Sequence, residues 1–245
     1  MKINNIKRPN KKLVEKLKMI GTATASGELN KLGIKDPFIQ GPVSYSQGKT
    51  IAGPAITLQF LPIREDVYAD DQEMDPEVQL HRHALYIAEK GDIVVVDARG
   101  DLRSGVFGEM MLTYFQGKGG EGIIVDGVIR DFTHAKELEL GMWLKGVTPN
   151  YHTQVSIFPN AVNIPISCGG VLVNAGDIII ADDAGAIVVP ISLAEQLAEK
   201  AAGHTEWEIF ARKKLSEGGE LSEFYPRNAW SEKTQKEYSA WLEKK

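Results

Sequence analysis

Apolar positions along the chain change their spacing several times, and each change marks an element. Over residues 11–20, Leu13, Val14, Leu17 and Ile20 recur at the three- and four-residue intervals of a helix that buries one face. A second short helix is predicted over 24–32, stopped by Gly33. Residues 36–49 are rich in Pro, Gly, Ser and Gln, show no period, and read as a surface loop. The run IAGPAITLQFL at 51–61 is a strand, with Gly53-Pro54 marking an edge or a bulge at its start. Residues 70–75 form a polar, acidic loop. Asp75-Pro76 then supplies a capping residue and a proline at the first helical position, which predicts a helix to about residue 90.

Beyond residue 90 the period changes. A continuous β-branched strand at 93–96 is followed by a polar turn from Asp97 through Gly105, a helix at 108–116 and another apolar strand at 123–125. Strand and helix alternating in this way predict βαβ units and a largely parallel sheet buried on both faces. Short strands follow at 143–145, 162–166, 171–173, 178–180 and 187–189, and a long helix at 192–215. Gly218-Gly219 breaks the chain before a charged terminal helix over 232–245 that carries Tyr238, Trp241 and Leu242. The expected organisation is a single α/β domain over 1–217 and a helical tail over 218–245.

Composition narrows the partners. With 245 residues, 43% of them hydrophobic and 25% charged, the chain can bury a full core without cross-links. Its 28 Lys and Arg against 33 Asp and Glu give a net charge of −5, unlike the basic face of a protein that tracks nucleic-acid phosphates. Cys168 is the only cysteine, which excludes an internal disulfide and a cysteine-based zinc cluster. No apolar run approaches a membrane span, and the lysine-rich opening lacks a signal-type core. The expectation is a cytoplasmic protein without a membrane or nucleic-acid partner.

Three elements carry candidate chemistry. Gly117, Gly119 and Gly122 spell a dinucleotide fingerprint, but a helix precedes them and a strand follows, the reverse of the required order. They read as a helix stop and a tight turn. Arg130-Asp131 directly follows the strand EGIIVDGVI, and ligand sites in open α/β sheets cluster beyond the carboxyl ends of strands. Arg130 offers a planar charged fork for a carboxylate or an enolate oxygen, and Asp131 a hard oxygen ligand for magnesium or manganese. The plainer alternative is that Asp131 caps a helix at 133–140. Gly108, Glu109, Met110 and Met111 open the helix after the preceding strand, where free amides bind an anion without side chains. Together they suit a small 2-keto acid chelating a divalent cation.

These residues also carry a resemblance. Glu109, twenty intervening residues and Arg130-Asp131 resemble the acidic-x20-Arg-Asp pattern of class II pyruvate aldolases in the RraA-like family. GTATASGELNKLG at Gly21, IAGPAITL at Ile51, GDIVVVDARGD at Gly91, GIIVDGVIRD at Gly122, KGVTP at Lys145 and AGDIIIADDAGAIVVP at Ala175 are similar to the same family in collinear order. The loops around Ser44 and Asp70 and the tail after Gly218 depart from it. The resemblance implies an α/β/β/α sandwich like phosphohistidine swivelling domains, assembled as homotrimers or hexamers with sites at subunit boundaries. It makes Gly108, Glu109, Met110 and Met111 a main-chain cradle for substrate, Arg130 the contact to the keto or enolate oxygen, and Asp131 the direct ligand of Mg2+ or Mn2+. Glu109 would hold a metal-bound water that carries a proton, and Glu206 or Glu208 could approach a neighbouring subunit's metal. The implied activity is cleavage of a 4-hydroxy-2-keto acid such as 4-hydroxy-4-methyl-2-oxoglutarate to pyruvate and a second keto acid, with oxaloacetate decarboxylation as a side activity. The alternative within the family is a non-catalytic protein that binds and inhibits a ribonuclease or another partner. A methyltransferase is a third reading, but no glycine-rich cofactor loop stands in the right strand–helix context.

Other polar residues read as structural. His81 and His83, two apart on a helix, diverge. Lys145, a conceivable Schiff-base lysine, reads as a snorkelling side chain. Asp182-Asp183 suits a hairpin turn, and Cys168, before Gly169-Gly170, reads as an inert thiol. Tyr225, Trp230, Tyr238, Trp241 and Leu242 are too apolar for a solvated tail and are expected to pack across a subunit boundary, the plainer alternative being that the tail folds back on its own subunit.

Overall fold

The computed structural model describes residues 4–66, 78–151 and 154–244. In chain order the elements are α1 (Lys11–Ile20), α2 (Thr22–Lys31), β1 (Val43–Ser44), β2 (Ile51–Pro62), α3 (Leu80–Tyr86), β3 (Ile93–Gly105) and α4 (Glu109–Gly117). They continue with β4 (Gly122–Ile129), α5 (Phe132–Ala135), β5 (Gly141–Val147), β6 (Ile157–Val162), β7 (Ile166–Cys168), β8 (Val171–Val173), β9 (Ile178–Asp182) and β10 (Gly185–Val189). Helices α6 (Ala194–Lys200), α7 (His204–Ser216), α8 (Leu221–Phe224) and α9 (Glu232–Leu242) complete the chain.

Strands β2, β3, β4 and β5 pair in parallel, as the βαβ reading requires. The sheet runs β1-β5-β4-β3-β2-β9-β10, and β9 and β6 share the remaining edge of β2 in antiparallel pairing. Alternating side chains along the parallel strands feed two cores. On one face Val94, Val96, Ile123, Val125, Met142 and Leu144 pack with Leu85, Leu112 and Phe115 from α3 and α4. On the other, Ile93, Val95, Ile124 and Trp143 pack with Ile179, Ala181, Ala186 and Val188 of the β9–β10 hairpin. The outer face of that hairpin, through Ile178, Ile180, Ile187 and Val189, covers Leu17, Ala25, Leu29 and Leu197 of α1, α2 and α6. The layers are therefore helix, sheet, sheet, helix, the sandwich expected.

Several boundaries differ, each for a physical reason. Gly53-Pro54 lies on a local edge, since residues 51–54 pair with β9 on one side only. Ala55 N–H donates to Asp177 O on the β9 side, so the missing donor of Pro54 faces the β3 side, where pairing begins only at Ala55. The polar turn at 97–105 belongs to β3, whose bulges keep Asp101 opposite Gly127 and Gly105 opposite Val128. The helix expected at 133–140 is the single turn α5. The strand expected at 162–166 is divided between β6 and β7. The long helix at 192–215 is broken before α7 by Gly203, held at φ 74. The acidic loop at 70–75 and the Asp75-Pro76 start lie outside the described residues; α3 accounts for part of the helix expected there.

The chain divides into two compact units, Met1–Ala198 and Glu199–Lys245. The division falls before the expected 217/218 boundary because Trp207 and Phe210 of α7 share one hydrophobic cluster with Phe224, Trp230 and Tyr238. Phe210 is central to it, with ring centroids 5.3 Å from Tyr238, 5.6 Å from Trp230 and 5.8 Å from Trp241. Trp230 Nε1 donates to Phe224 O at 2.8 Å, and Ser231 caps α9 by accepting from Thr234 N. The tail aromatics find partners within their own unit, where Trp230 and Tyr238 are buried, while Tyr225 and Leu242 are exposed.

Candidate functional site

Two consecutive parallel strands, β3 and β4, deliver their carboxyl ends to one place. Beyond β3, Gly108 caps α4 without a side chain, and Met111 N and Leu112 N donate to its carbonyl at 3.1 and 3.2 Å. Beyond β4, Arg130 N donates to Phe107 O at 3.0 Å, which stitches the two strand ends together. Glycines permit this approach. A Cβ at Gly105 would lie 2.7 Å from Arg130 Cβ, and one at Gly108 would lie 2.7 Å from Asp131 Oδ2 and 3.0 Å from Arg130 Nε. The structure thus brings Gly108, Arg130 and Asp131 together, as the sequence reading required.

Asp131 is held in the left-handed region, φ 59 and ψ 30, which asparagine and aspartate tolerate better than other side chains. Its carbonyl accepts from His134 N and Ala135 N, but its carboxylate makes no capping hydrogen bond to α5. The plainer reading, Asp131 as a cap, therefore does not account for the carboxylate. Its partner is Arg130, whose Nε lies 3.5 Å from Asp131 Oδ2. That nitrogen is buried and lacks a hydrogen-bond acceptor, while Arg130 Nη1 donates to Tyr151 O. The pair is long and its Asp131 side chain is 47% exposed, so the carboxylate stays open to solvent.

The cradle is narrower than expected. Met111 spends its amide on Gly108 O and packs its side chain against the core, which leaves the Glu109 and Met110 amides at the helix start. Met110 projects outward, 77% exposed. Glu109 accepts from Thr113 Oγ1 at 2.9 Å, one turn along its own helix, and makes no ion pair with Arg130 among the described residues. In the second unit Glu208 Oε1 lies 3.2 Å from His204 Nδ1, whereas Glu206 has no ion pair among the described residues.

A second polar cluster occupies the opposite face of the same sheet. Lys145 of β5 ion-pairs with Asp126 of β4 instead of reaching outward alone, and its stem packs where a Cβ at Gly41 would sit. Burial pushes the Asp97 carboxyl up, only partly offset by the Arg99 and Ser167 amides. Burial also drives the Cys168 thiol far up, with Asp126 and Asp97 adding to the effect, which disfavours the thiolate. Asp182 and Asp183 turn the β9–β10 hairpin, and both carboxylates are spent: Asp182 accepts from Thr22 N, Thr22 Oγ1 and Ala184 N, and Asp183 from Gly48 N.

Sequence reasoning missed a hydrogen-bonded cluster built on Asp101 of β3. Asp101 Oδ2 accepts from Ser104 N at 2.6 Å, and its Oδ1 from Ser156 Oγ at 2.6 Å. The local half, an Asp followed three residues later by Ser, is a readable turn signal. The Ser156 half is not, because 55 positions separate the partners.

The RraA-like family model, described as Aldolase/RraA, matches residues 22–188. The chain belongs to this family. Streptomyces coelicolor RraAS2, described as an unusual member of the RNase ES inhibitor RraA protein family, is 40% identical, with a TM-score of 0.76 over 85% of this chain and 99% of that one. RraA from a Thermus species, described as an RNA-processing inhibitor, shares the fold at 23% identity and a TM-score of 0.52, over 67% of this chain and 92% of that one. A Halalkalibacterium halodurans protein, provisionally named a 4-hydroxy-4-methyl-2-oxoglutarate aldolase, is 36% identical over 48% of this chain and 55% of its own length. Legionella pneumophila DlpA is 27% identical over 77% of this chain and 29% of its own length, so the match spans about half or less of these two relatives. The RraA fold of the neighbours confirms the expected swivelling-domain-like α/β architecture. Among the described residues no helix is long and apolar enough to cross a membrane.

Proposed function

We propose that this RraA-like chain is a divalent-metal-dependent carbon–carbon lyase that cleaves a 4-hydroxy-2-keto acid to pyruvate and a second keto acid. One observation carries the reading: Gly108 admits the Asp131 carboxylate and the unsatisfied Arg130 Nε into one contact set at the ends of two parallel strands. Among the described residues no group of three or more His, Cys, Asp or Glu could cage a metal. A single carboxylate nevertheless fits magnesium, which keeps several waters and takes one or two protein carboxylates. Asp131 would hold the ion, with Mn2+ as the substitute, and the bound cation would act as an electrophile toward the keto acid. Arg130 directs its free N–H at the oxygen that gains charge when the bond next to the keto group breaks. The Glu109 and Met110 amides bind the substrate carboxylate, helped by the helix dipole. Glu109, hydrogen-bonded among the described residues only to exposed Thr113, would hold a water that delivers a proton to the pyruvate carbon. Oxaloacetate decarboxylation develops the same enolate and is the expected second activity.

A coupled assay for pyruvate release, with magnesium and with excess chelator, tests this directly. Release from 4-hydroxy-4-methyl-2-oxoglutarate or oxaloacetate that chelator abolishes supports it; no release at saturating magnesium or manganese rejects it. The 40% identical RraAS2 favours a second reading, binding and inhibition of a ribonuclease. Asp131→Ala separates the two, since it removes lyase activity and leaves inhibition through another surface intact. A homotrimeric or hexameric ring in the cytoplasm completes the proposal, and light scattering checks the assembly.

A further inference from the structure

We infer that a cavity at the amino ends of the parallel strands binds a short zwitterionic peptide, a role independent of the lyase reading. The cavity has a volume of about 430 Å³, within the range of roughly 300–1,000 Å³ typical of small-ligand sites. It lies where β3 and β4 begin, beside Asp92 and Glu121, whereas Gly108, Arg130 and Asp131 lie beyond where these strands end or at their close. Most charges around it are already met. Asp92 is fully buried and accepts from Arg8 Nε and Nη2 at 3.0 and 2.7 Å. Arg8 Nη1 lies 3.1 Å from Glu89, and Lys18 Nζ 2.7 Å from Glu121. Lys11, Glu15 and Lys90 also line the cavity, and none of the three makes an ion pair among the described residues. Lys90 is held in place by its stem, since a Cβ at Gly119 would lie 3.0 Å from Lys90 Cγ. Lys11 opens α1, where the helix dipole favours an anion over a cation, so a carboxylate bound beside it relieves an unfavourable placement.

The free edge of β2 adds amide chemistry. Ala55 N–H donates to Asp177 O, so the alternation of the antiparallel ladder points the N–H and C=O of Gly53 at β9 and those of Ala52 away from it. β3 pairs with β2 only from Ala55 onward, which leaves Ala52 without a strand partner on that side. Ala52, Pro54 and Val14 line the cavity and supply its apolar contacts. The site therefore offers two cations for a carboxylate, Glu15 for an ammonium, a strand edge for an amide and an apolar wall for a small side chain. Those are the parts of a di- or tripeptide, recognised by addition to a strand edge and capture of its charged ends. A simple inorganic anion would use the lysines and leave Glu15 and Ala52 idle.

Trialanine is the probe, titrated calorimetrically into the full-length protein. Saturable binding with a Kd of about 0.1–1 mM is expected, modest because ordering a small flexible ligand offsets much of its interaction energy. Amidating the trialanine C-terminus should weaken binding about tenfold, and the double variant Lys11→Gln/Lys90→Gln should do the same. Both lysines lack a protein partner, so the double variant keeps its fold, which circular dichroism checks. Acetylating the trialanine N-terminus, or Glu15→Gln, should cost about threefold, the scale of one exposed ion pair. Lys12→Gln, one position along α1 and outside the cavity lining, controls for general attraction and should bind as the wild type does. The inference is overturned by no saturable binding up to about 20 mM trialanine. It is equally overturned by unchanged affinity in the Lys11/Lys90 double variant, or by an equal loss in Lys12→Gln. Pyruvate release plays no part in these measurements, so they decide the peptide site whatever becomes of the lyase reading.

Discussion

Two charged clusters sit at the same pole of one sheet, on opposite faces, and differ in how completely their charges are met. On one face Lys145 and Asp126 neutralise each other, and the neighbouring thiol of Cys168 donates to Val96 O. On the other, Arg130 leaves Nε without an acceptor and Asp131 leaves its carboxylate uncapped, with its backbone in a left-handed conformation. The first pair is closed by a short contact between Lys145 Nζ and Asp126, whereas Arg130 Nε and Asp131 Oδ2 lie 3.5 Å apart and the Asp131 side chain is 47% exposed to solvent. A lysine and an aspartate on adjacent strands look as catalytic in a sequence as an arginine and an aspartate in succession. Solvent access and the close backbone approach at Gly108 set the Arg130–Asp131 pair apart from the more enclosed Lys145–Asp126 pair.

The sharpest way to break this contrast is Asp131→Ala. It should abolish pyruvate release while circular dichroism and melting temperature stay near wild type; turnover near normal at saturating magnesium would remove Asp131 from the site. Arg130→Lys keeps charge but loses the fork, and kcat should fall about 10²-fold, the scale of one transition-state donor. If KM alone rises, Arg130 belongs to ground-state binding. On the other face Asp126→Ala should do the reverse. Removing one partner of a mostly buried ion pair should cost about 2–3 kcal/mol, below the fully buried range because the Lys145 side chain is 28% exposed. Denaturant melts measure this cost, and kcat of the folded fraction should be retained. Gly108→Ala tests the close approach by itself. The backbone there is ordinary, φ −102, so the new methyl acts only by displacing Asp131 and Arg130. A loss of about tenfold in kcat/KM, with a small change in melting temperature, is expected.

The smallest effect concerns pH, where two aspartates of one strand should act with opposite sign. Burial pushes the Asp101 carboxyl up, but hydrogen bonds from Ser156, Ser104 and Arg103 outweigh it and leave it below 3.8, its ordinary value. Its contribution to stability is present above 3.8 and lost as pH falls through the lower folded value. Asp97 is shifted upward, so its contribution is present below 3.8 and lost as pH rises through the raised folded value. In melts between about pH 3 and 7, Asp101→Asn should flatten the acid-side decline and Asp97→Asn the decline toward neutral pH. Equal slopes in both variants and the wild type would contradict the assignment.

Periodic elements were legible because their signals are local. The helix over 11–20 and the strands at 123–125 and 178–180 appear where the apolar spacing places them. The meeting of Gly108, Arg130 and Asp131 was legible through their place after consecutive strands. The hydrogen bond from Ser156 to Asp101 was not, because 55 positions separate the two residues. Lys145 was misread as snorkelling because its partner Asp126 lies on the neighbouring strand. The tail aromatics announced burial correctly but not their partner, and Phe210 supplies it.

By itself the sequence determined the alternation of strands and helices, the parallel order of the central sheet and the residue types at the strand ends. Those follow from side-chain period and turn chemistry within a few residues. Tertiary structure decided which charges are satisfied. Whether Arg130 has an acceptor, Asp131 a cap or Lys145 a partner depends on groups from separate strands meeting within about 3 Å, the reach of a hydrogen bond. No local pattern encodes that distance. It is set when the strands pack and the glycines let two backbones come close.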